Sequence, residues 1–201
     1  MLKKTSTVIK TRERRGLIVM ICAKIVLFLV FLFIALGTAH STRETLWYVI
    51  LCGGALAILL ATLQLIGNNR LTEAVGYLQL VPDIAAICVL PFLWYLSLDD
   101  PDMSRAFLLK TVLPQIVYVL LVFNSFSLKA ELPLVLAAAA ALFQTFLYFH
   151  ALDDPRVVET DDFSATAAGP AVHTATYFSN ILYTLLAGLF LLLIARGSRK
   201  M

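Results

Sequence analysis

The sequence predicts an all-α polytopic membrane bundle of six transmembrane helices with both termini in the cytoplasm. Three observations carry this. Hydrophobic residues fill 60% of the 201 positions and charged residues only 14%, against roughly 25% charged in a soluble domain. Mean hydropathy is +0.87, and the apolar residues fall into six continuous runs, each near the ~20 residues a helix needs to cross a bilayer core. Lys and Arg gather at the two chain ends, which puts both ends inside after an even number of crossings.

Residues 1–15 form a basic tail with Lys3, Lys4, Lys10, Arg12, Arg14 and Arg15. The first run, about 16–38, is too long for the apolar core of a cleavable signal and has no clear cleavage site after it, so it reads as the first helix. The second helix runs about 46–66. The third, about 76–98, holds Pro82 and Pro91, and the fourth, about 105–123, holds Pro114. The fifth, about 132–151, includes the alanine run Ala137 to Ala141, and the sixth is expected over about 172–195. A basic end follows at 197–201, leaving 16–196 as the membrane domain. None of the runs alternates apolar with polar residues as a barrel strand would.

The loops agree with this orientation. Arg70 and Lys129 fall on the inner side, with Arg196, Arg199 and Lys200 in the tail. Glu44, Asp99, Asp100, Asp102, Asp153, Asp154, Glu159, Asp161 and Asp162 fall outside. Trp47, Tyr48, Trp94, Tyr95, Tyr148, Phe149, Tyr177 and Phe178 lie near the outer ends, where an interfacial aromatic belt is expected. Leu98-Asp99-Asp100-Pro101 after the third helix is echoed by Leu152-Asp153-Asp154-Pro155 after the fifth. Both read as helix stops, since proline disfavours helix at the residue before it; the sharper alternative is an old helical-hairpin repeat.

Two charges lie inside the apolar runs, Lys24 in the first and Asp83 just after Pro82 in the third. At 1.5 Å per residue both sit roughly 8–12 Å deep from the inner side. Such charges usually face the bundle interior and pair, which predicts a Lys24–Asp83 ion pair tying the first helix to the third. The bland alternative has Lys24 snorkelling to the headgroups and Asp83 capping a helix broken at Pro82.

Other polar residues carry less. His40, His150 and His173 sit at the outer face, as interfacial polar residues or as metal or pH-sensing groups. Gln64, Gln79, Gln115, Gln144, Asn124 and Asn180 are candidates for interhelical hydrogen bonds. Gly53-Gly54 would let a neighbouring helix approach closely. Cys22, Cys52 and Cys88 are too scattered for a zinc motif and read as small buried hydrophobes. The loop of about 153–171 carries six charges and then the small-residue stretch Ala165 to Pro170; a loop this long suits a ligand-facing or lid-like role, or a plain connection. No nucleophile elbow, zinc-protease motif or P-loop is present. The expectation is therefore a chain with no catalytic residues of its own, no cofactor and no bound metal. Basic residues gathered mainly at the chain ends argue against nucleic acid as a partner.

Short segments carry a resemblance. Arg12-Glu13-Arg14-Arg15-Gly16 precedes the first helix. Ala151-Leu152-Asp153-Asp154-Pro155-Arg156 follows the fifth. Gly169-Pro170-Ala171-Val172 opens the sixth, which Arg196, Arg199 and Lys200 close. In these the chain resembles the six-helix membrane domains that precede the catalytic domain of some bacterial class III adenylate or guanylate cyclases. The resemblance implies a dimerising anchor or sensor in the bacterial inner membrane, passing a signal from the sixth helix to a cytoplasmic effector domain. The sequence departs from that pattern by stopping at Met201 without cyclase catalytic residues.

The leading expectation is thus a membrane sensor and anchor domain, a homodimer in the lipid bilayer with an effector after helix six. An external ligand of unidentified kind would meet a surface including His150, His173, Trp94 and Tyr177. The runner-up is a small transporter or channel built around Lys24, Asp83 and the helix prolines. A third reading is an assembly subunit of a membrane complex.

Overall fold

The computed structural model describes residues 2–39, 41–66, 72–97, 102–127, 129–162, 164–167 and 169–200. Among them, six helical stretches are long and apolar enough to cross a membrane: Thr11–Thr38, Thr42–Leu65, Ala74–Ser97, Ala106–Ser125, Glu131–Leu152 and Thr174–Ser198. This is the architecture of an integral membrane protein.

Helix α1 (Leu2–Thr38) starts well before the predicted apolar boundary, because Lys, Arg and Glu are good helix formers and no Gly or Pro interrupts 2–15. A charged stretch is barred from hydrocarbon, not from helix. Helix α2 (Thr42–Leu65) is started by Ser41, whose hydroxyl accepts the Glu44 N–H at 3.1 Å, satisfying one of the free amides of the first turn.

The third and fourth spans are each broken, and proline accounts for both breaks. Helices α3 (Thr72–Leu78) and α4 (Leu80–Ser97) are separated at Gln79. Pro82 has no N–H to give the Leu78 carbonyl and its ring crowds that carbonyl. Helix α5 (Ala106–Leu109) stops at Lys110, four residues before Pro114, and α6 (Leu113–Ser125) starts with that proline in its first turn. Pro91, by contrast, is carried inside α4. Helix α7 (Glu131–Leu152) ends just before Asp153-Asp154-Pro155. Asp99, Asp100 and Pro101, the first copy of that motif, lie outside the described residues, as do His40 and Arg70.

The segment after α7 corrects the purely helical expectation. Strands β1 (Val158–Thr160) and β2 (Ala171–His173) pair in parallel, Val158 opposite Ala171 and Thr160 opposite His173. A 3-10 turn, Ser164–Ala167, lies between them. Gly169, at φ +81, takes a backbone conformation that side-chain-bearing residues rarely adopt. Helix α8 (Thr174–Lys200) follows β2 directly, so it begins slightly later than predicted and runs further.

Contacts fix which helix ends lie together. At one end, Gly16 of α1 meets the backbone of Phe126, Tyr77 donates to Glu131 at 2.8 Å, and Ala130 packs with Leu192 and Ala195. This is the tail end. At the other, the cap end, the 153–173 segment closes over the bundle: the Arg105 N–H reaches Asp154 at 3.0 Å and Tyr148 meets Thr174 at 3.0 Å. Helix α7 is central, packed on α4, α6 and α8, while α1 lies on α2 and touches the end of α6.

Large apolar side chains stay on the surface, with Phe33 81%, Leu142 73% and Phe190 63% exposed. Lipid is as apolar as these side chains, so they need no cover. Close van der Waals packing and interhelical hydrogen bonds must hold the helices together instead. One close approach is at Gly188 of α8, where an added Cβ would lie 2.4 Å from the Ala137 Cβ of α7. Gly53 and Gly54 have nothing within 4 Å; they face outward and bring no helix of this chain close. Cys22 is also exposed, because it falls on the outer side of α1, while Cys52 is buried and Cys88 half-buried.

Candidate functional site

Two polar features stand out, one inside the bundle toward the tail end and one under the cap. The first is built from four fully buried side chains: Lys24 of α1, Gln79 at the break between α3 and α4, Asp83 of α4 and Asn124 of α6. Lys24 is long enough to lean back along α1 toward the tail end, as helical side chains do. Its ammonium lies 2.5 Å from Asp83 Oδ2, donates to Asn124 Oδ1 at 3.1 Å and also donates to Gln79 Oε1. Three N–H donors thus find three acceptors.

The helix break has a direct use here. At the break the Gln79 N–H still reaches the Val75 carbonyl at 3.2 Å, and its side chain turns inward, with Nε2 donating to the Gly76 carbonyl at 3.0 Å and to Asn124 Oδ1 at 2.8 Å. Asn124 Nδ2 donates in turn to Asp83 Oδ2 at 2.8 Å and to the Leu120 carbonyl at 2.7 Å. The cluster is neutral overall and ties three of the six spans to one point. Asp83 is held by side chains of α1 and α6 rather than by amides of its own helix, and Lys24 turns inward rather than to the surface. Asp83 Oδ1 and both polar atoms of the Gln144 side chain, buried in α7, make no hydrogen bond among the described residues.

The second feature is a recess of about 520 Å³ at the cap end, lined by Asp102, Met103, Phe107, Lys110, Arg156 and Pro170 among others. Lys110 also lines an adjoining recess of about 120 Å³ with His173, Thr176, Tyr177 and Asn180. Its ammonium sits where α5 stops and reaches into the cap, donating to the carbonyls of Thr166 at 2.9 Å and Gly169 at 2.7 Å.

Asp154 anchors the same cap. It accepts from the Arg105 N–H, from the Arg156 N–H at 3.1 Å and from the Arg156 guanidinium at 2.9 Å through both Nε and Nη2. The guanidinium bonds from Arg156, then the Arg105 amide, hold the Asp154 carboxyl well below the usual carboxylate range. Asp162 is lowered in the same direction by the side chain and amide of Ser164.

His173 starts α8. Its Nδ1 accepts the Thr176 N–H at 3.1 Å, so the neutral ring carries its proton on Nε2, which faces the Asp161 carbonyl at 3.1 Å. The adjoining Tyr177 donates to the Gln144 carbonyl at 2.8 Å and stacks on Tyr148 with ring centroids 5.5 Å apart.

The structure therefore brings Lys24 together with Asp83, and His173 together with Tyr177. It does not gather the expected outer surface into one place. His150 lies between Phe92 and Phe146 rather than in either recess, and Trp94 packs against the main core on α4. Of the expected aromatic belt, Trp47, Phe149 and Phe178 face outward, while Tyr48, Tyr148 and Tyr177 are buried, their hydroxyls satisfied by protein partners. Gln79 and Asn124 do bond between helices, whereas Gln64 and Gln115 are exposed. Arg196 is exposed near the end of α8; the side chains of Arg199 and Lys200 lie outside the described residues. No group of three or more His, Cys, Asp or Glu able to hold a metal occurs among the described residues.

Lys110, Arg105 and Arg156 are the residues sequence reasoning missed. The signal was present at Lys110, a cation inside the fourth apolar run four residues before a proline. Comparison with protein-family models, with curated proteins and with solved structures gives no match to this chain.

Proposed function

We propose that the chain is a membrane anchor and sensor domain that regulates a cytoplasmic signalling output. The basic tails face the cytoplasm and the cap faces outward. The observation that carries this reading is the run of α8. It leaves cap strand β2 without a loop, lines the smaller recess through Thr176, Tyr177 and Asn180, and continues as one helix to Lys200. A displacement at its first turn has no flexible joint to absorb it before the tail end, and two bundle arrangements biased from the cap are enough to signal. The resemblance in the short flanking segments points to a class III nucleotide cyclase as the output and to a homodimer as the working unit.

The test is the mass of the native polypeptide in its own membranes, detected with an antibody to residues 153–171. A band tens of kilodaltons above the calculated 22.2 kDa supports an effector domain joined to α8. A band at that mass removes the attached-effector reading.

A second reading, transport, is favoured by one observation. The Lys24–Asp83 pair is buried in the bundle with one carboxylate oxygen unbonded among the described residues, and charges held inside membrane helices often mark an ion or proton path. Flux into liposomes containing only this chain, abolished by Asp83→Asn, would favour it over the sensor.

A further inference from the structure

We propose that the cap recess is a binding site for a small organic molecule with a singly charged oxyanion head, a phosphodiester or a carboxylate, which Lys110 recognises. The inference supplies a ligand class for the sensor reading and rests on that reading only for what binding would trigger. The recess, about 520 Å³, falls within the range usual for small-molecule sites. Its wall pairs a few polar groups with the apolar surfaces of Met103, Phe107 and Pro170, which suits an anionic head with a compact apolar body.

Two of the three Lys110 N–H bonds go to the carbonyls of Thr166 and Gly169; the third has no partner among the described residues. An oxyanion is a better acceptor for an ammonium than a neutral carbonyl, since bonds between ionised groups are roughly twice as strong. Arg156 adds positive charge on the same wall, although its guanidinium is committed to Asp154. Asp102 on the rim opposes a second negative charge, which is why a single charge is specified. Because Lys110 also lines the smaller recess beside Tyr177 and Asn180 of α8, an anion on its ammonium bears on both the cap carbonyls and the start of α8.

The test uses the full chain in dodecyl maltoside, which supplies no charged headgroup. Binding of three probes is followed by equilibrium dialysis and native mass spectrometry: glycerophosphoglycerol, phenylacetate and dihexanoyl phosphatidylglycerol. Saturable binding to wild type is expected, weakened about tenfold or more by Lys110→Gln and retained by Lys110→Arg. Glutamine keeps an N–H for the cap carbonyls without the charge, so its loss of binding is not cap collapse. Binding of either soluble probe identifies a soluble ligand; binding of the lipid probe alone identifies a headgroup. No saturable binding by any probe, or equal binding by the Lys110→Gln protein, overturns the assignment. Binding is read without any output, so its failure leaves the coupling through α8 to be judged separately.

Discussion

Removing one member of the Lys24–Asp83 pair should damage the fold more than removing both. In Lys24→Met the carboxylate loses its cation and Gln79 Oε1 loses the Lys24 donor. Asp83 Oδ2 keeps the Asn124 amide, and Asn124 Oδ1 keeps the Gln79 amide. Breaking a buried pair costs about 3–5 kcal/mol, and the two surviving hydrogen bonds place this case near the lower end, about 3 kcal/mol. Asp83→Asn strands the ammonium and is expected to cost about the same. The double variant buries no charge, keeps a roughly conserved volume and should cost no more than about 2 kcal/mol. Reversible unfolding in mixed micelles with increasing dodecyl sulfate would measure all four proteins. Each single variant should lower the folded-to-unfolded ratio on the order of a hundredfold, and the double should recover much of that loss. Additive costs, within about 0.5 kcal/mol, would mean that the two charges are stabilised independently and that the cluster is no lock.

Further predictions concern packing and the cap. Gly188→Ala should cost about 1–3 kcal/mol through overpacking, because its new methyl group meets Ala137 at 2.4 Å; Gly53→Ala and Gly54→Ala, with open space around them, should leave the same unfolding midpoint unchanged or slightly raised. Asp154 has a folded-state carboxyl below its usual range, so its contribution is present above the unfolded value of about 3.9 and is lost only as pH falls through the lower folded value. Hydrogen exchange at Arg105 and Arg156 should therefore stay slow from neutral pH down to about 4, after correction for intrinsic exchange, and quicken below. Asp154→Asn should give fast exchange already at neutral pH with no acid step; wild-type cap amides opening between pH 5 and 7 would contradict the arrangement.

Much of the fold was legible because hydrocarbon imposes a single demand, a long apolar helix with its backbone bonds satisfied internally. Six such runs could be read from composition alone. Lys24 and Asp83 were legible as a pair because a charge in that setting needs a partner, and these two have opposite sign and similar depth from the inner side. The break at Gln79 was harder to place. Pro82 announces a defect, but whether the freed residue turns to lipid or to a buried lysine depends on α1 and α6, distant in sequence. The cap was least legible. Three-residue strands have no periodicity to detect, and the segment carrying them is bonded to Lys110 and Arg105, which approach from another span. The inward turn of Tyr48, Tyr148 and Tyr177 was hidden for a related reason, since position along a helix sets depth in the bilayer but not which face meets a neighbour.

Coupling of the cap to the tail end through α8 can be measured directly. Spin labels at Thr11→Cys and Gly197→Cys, both outward-facing, would report the separation of α1 and α8 at the tail end in nanodiscs, on a background with Cys22, Cys52 and Cys88 replaced by alanine. The cap would be released by Lys110→Ala with Asp154→Asn, and its release verified by hydrogen exchange over 158–173. Coupling predicts that the label distance shifts by about 1–2 Å or more, the scale of helix movements in signalling proteins. Superimposable distance distributions with the cap verified as open would contradict it.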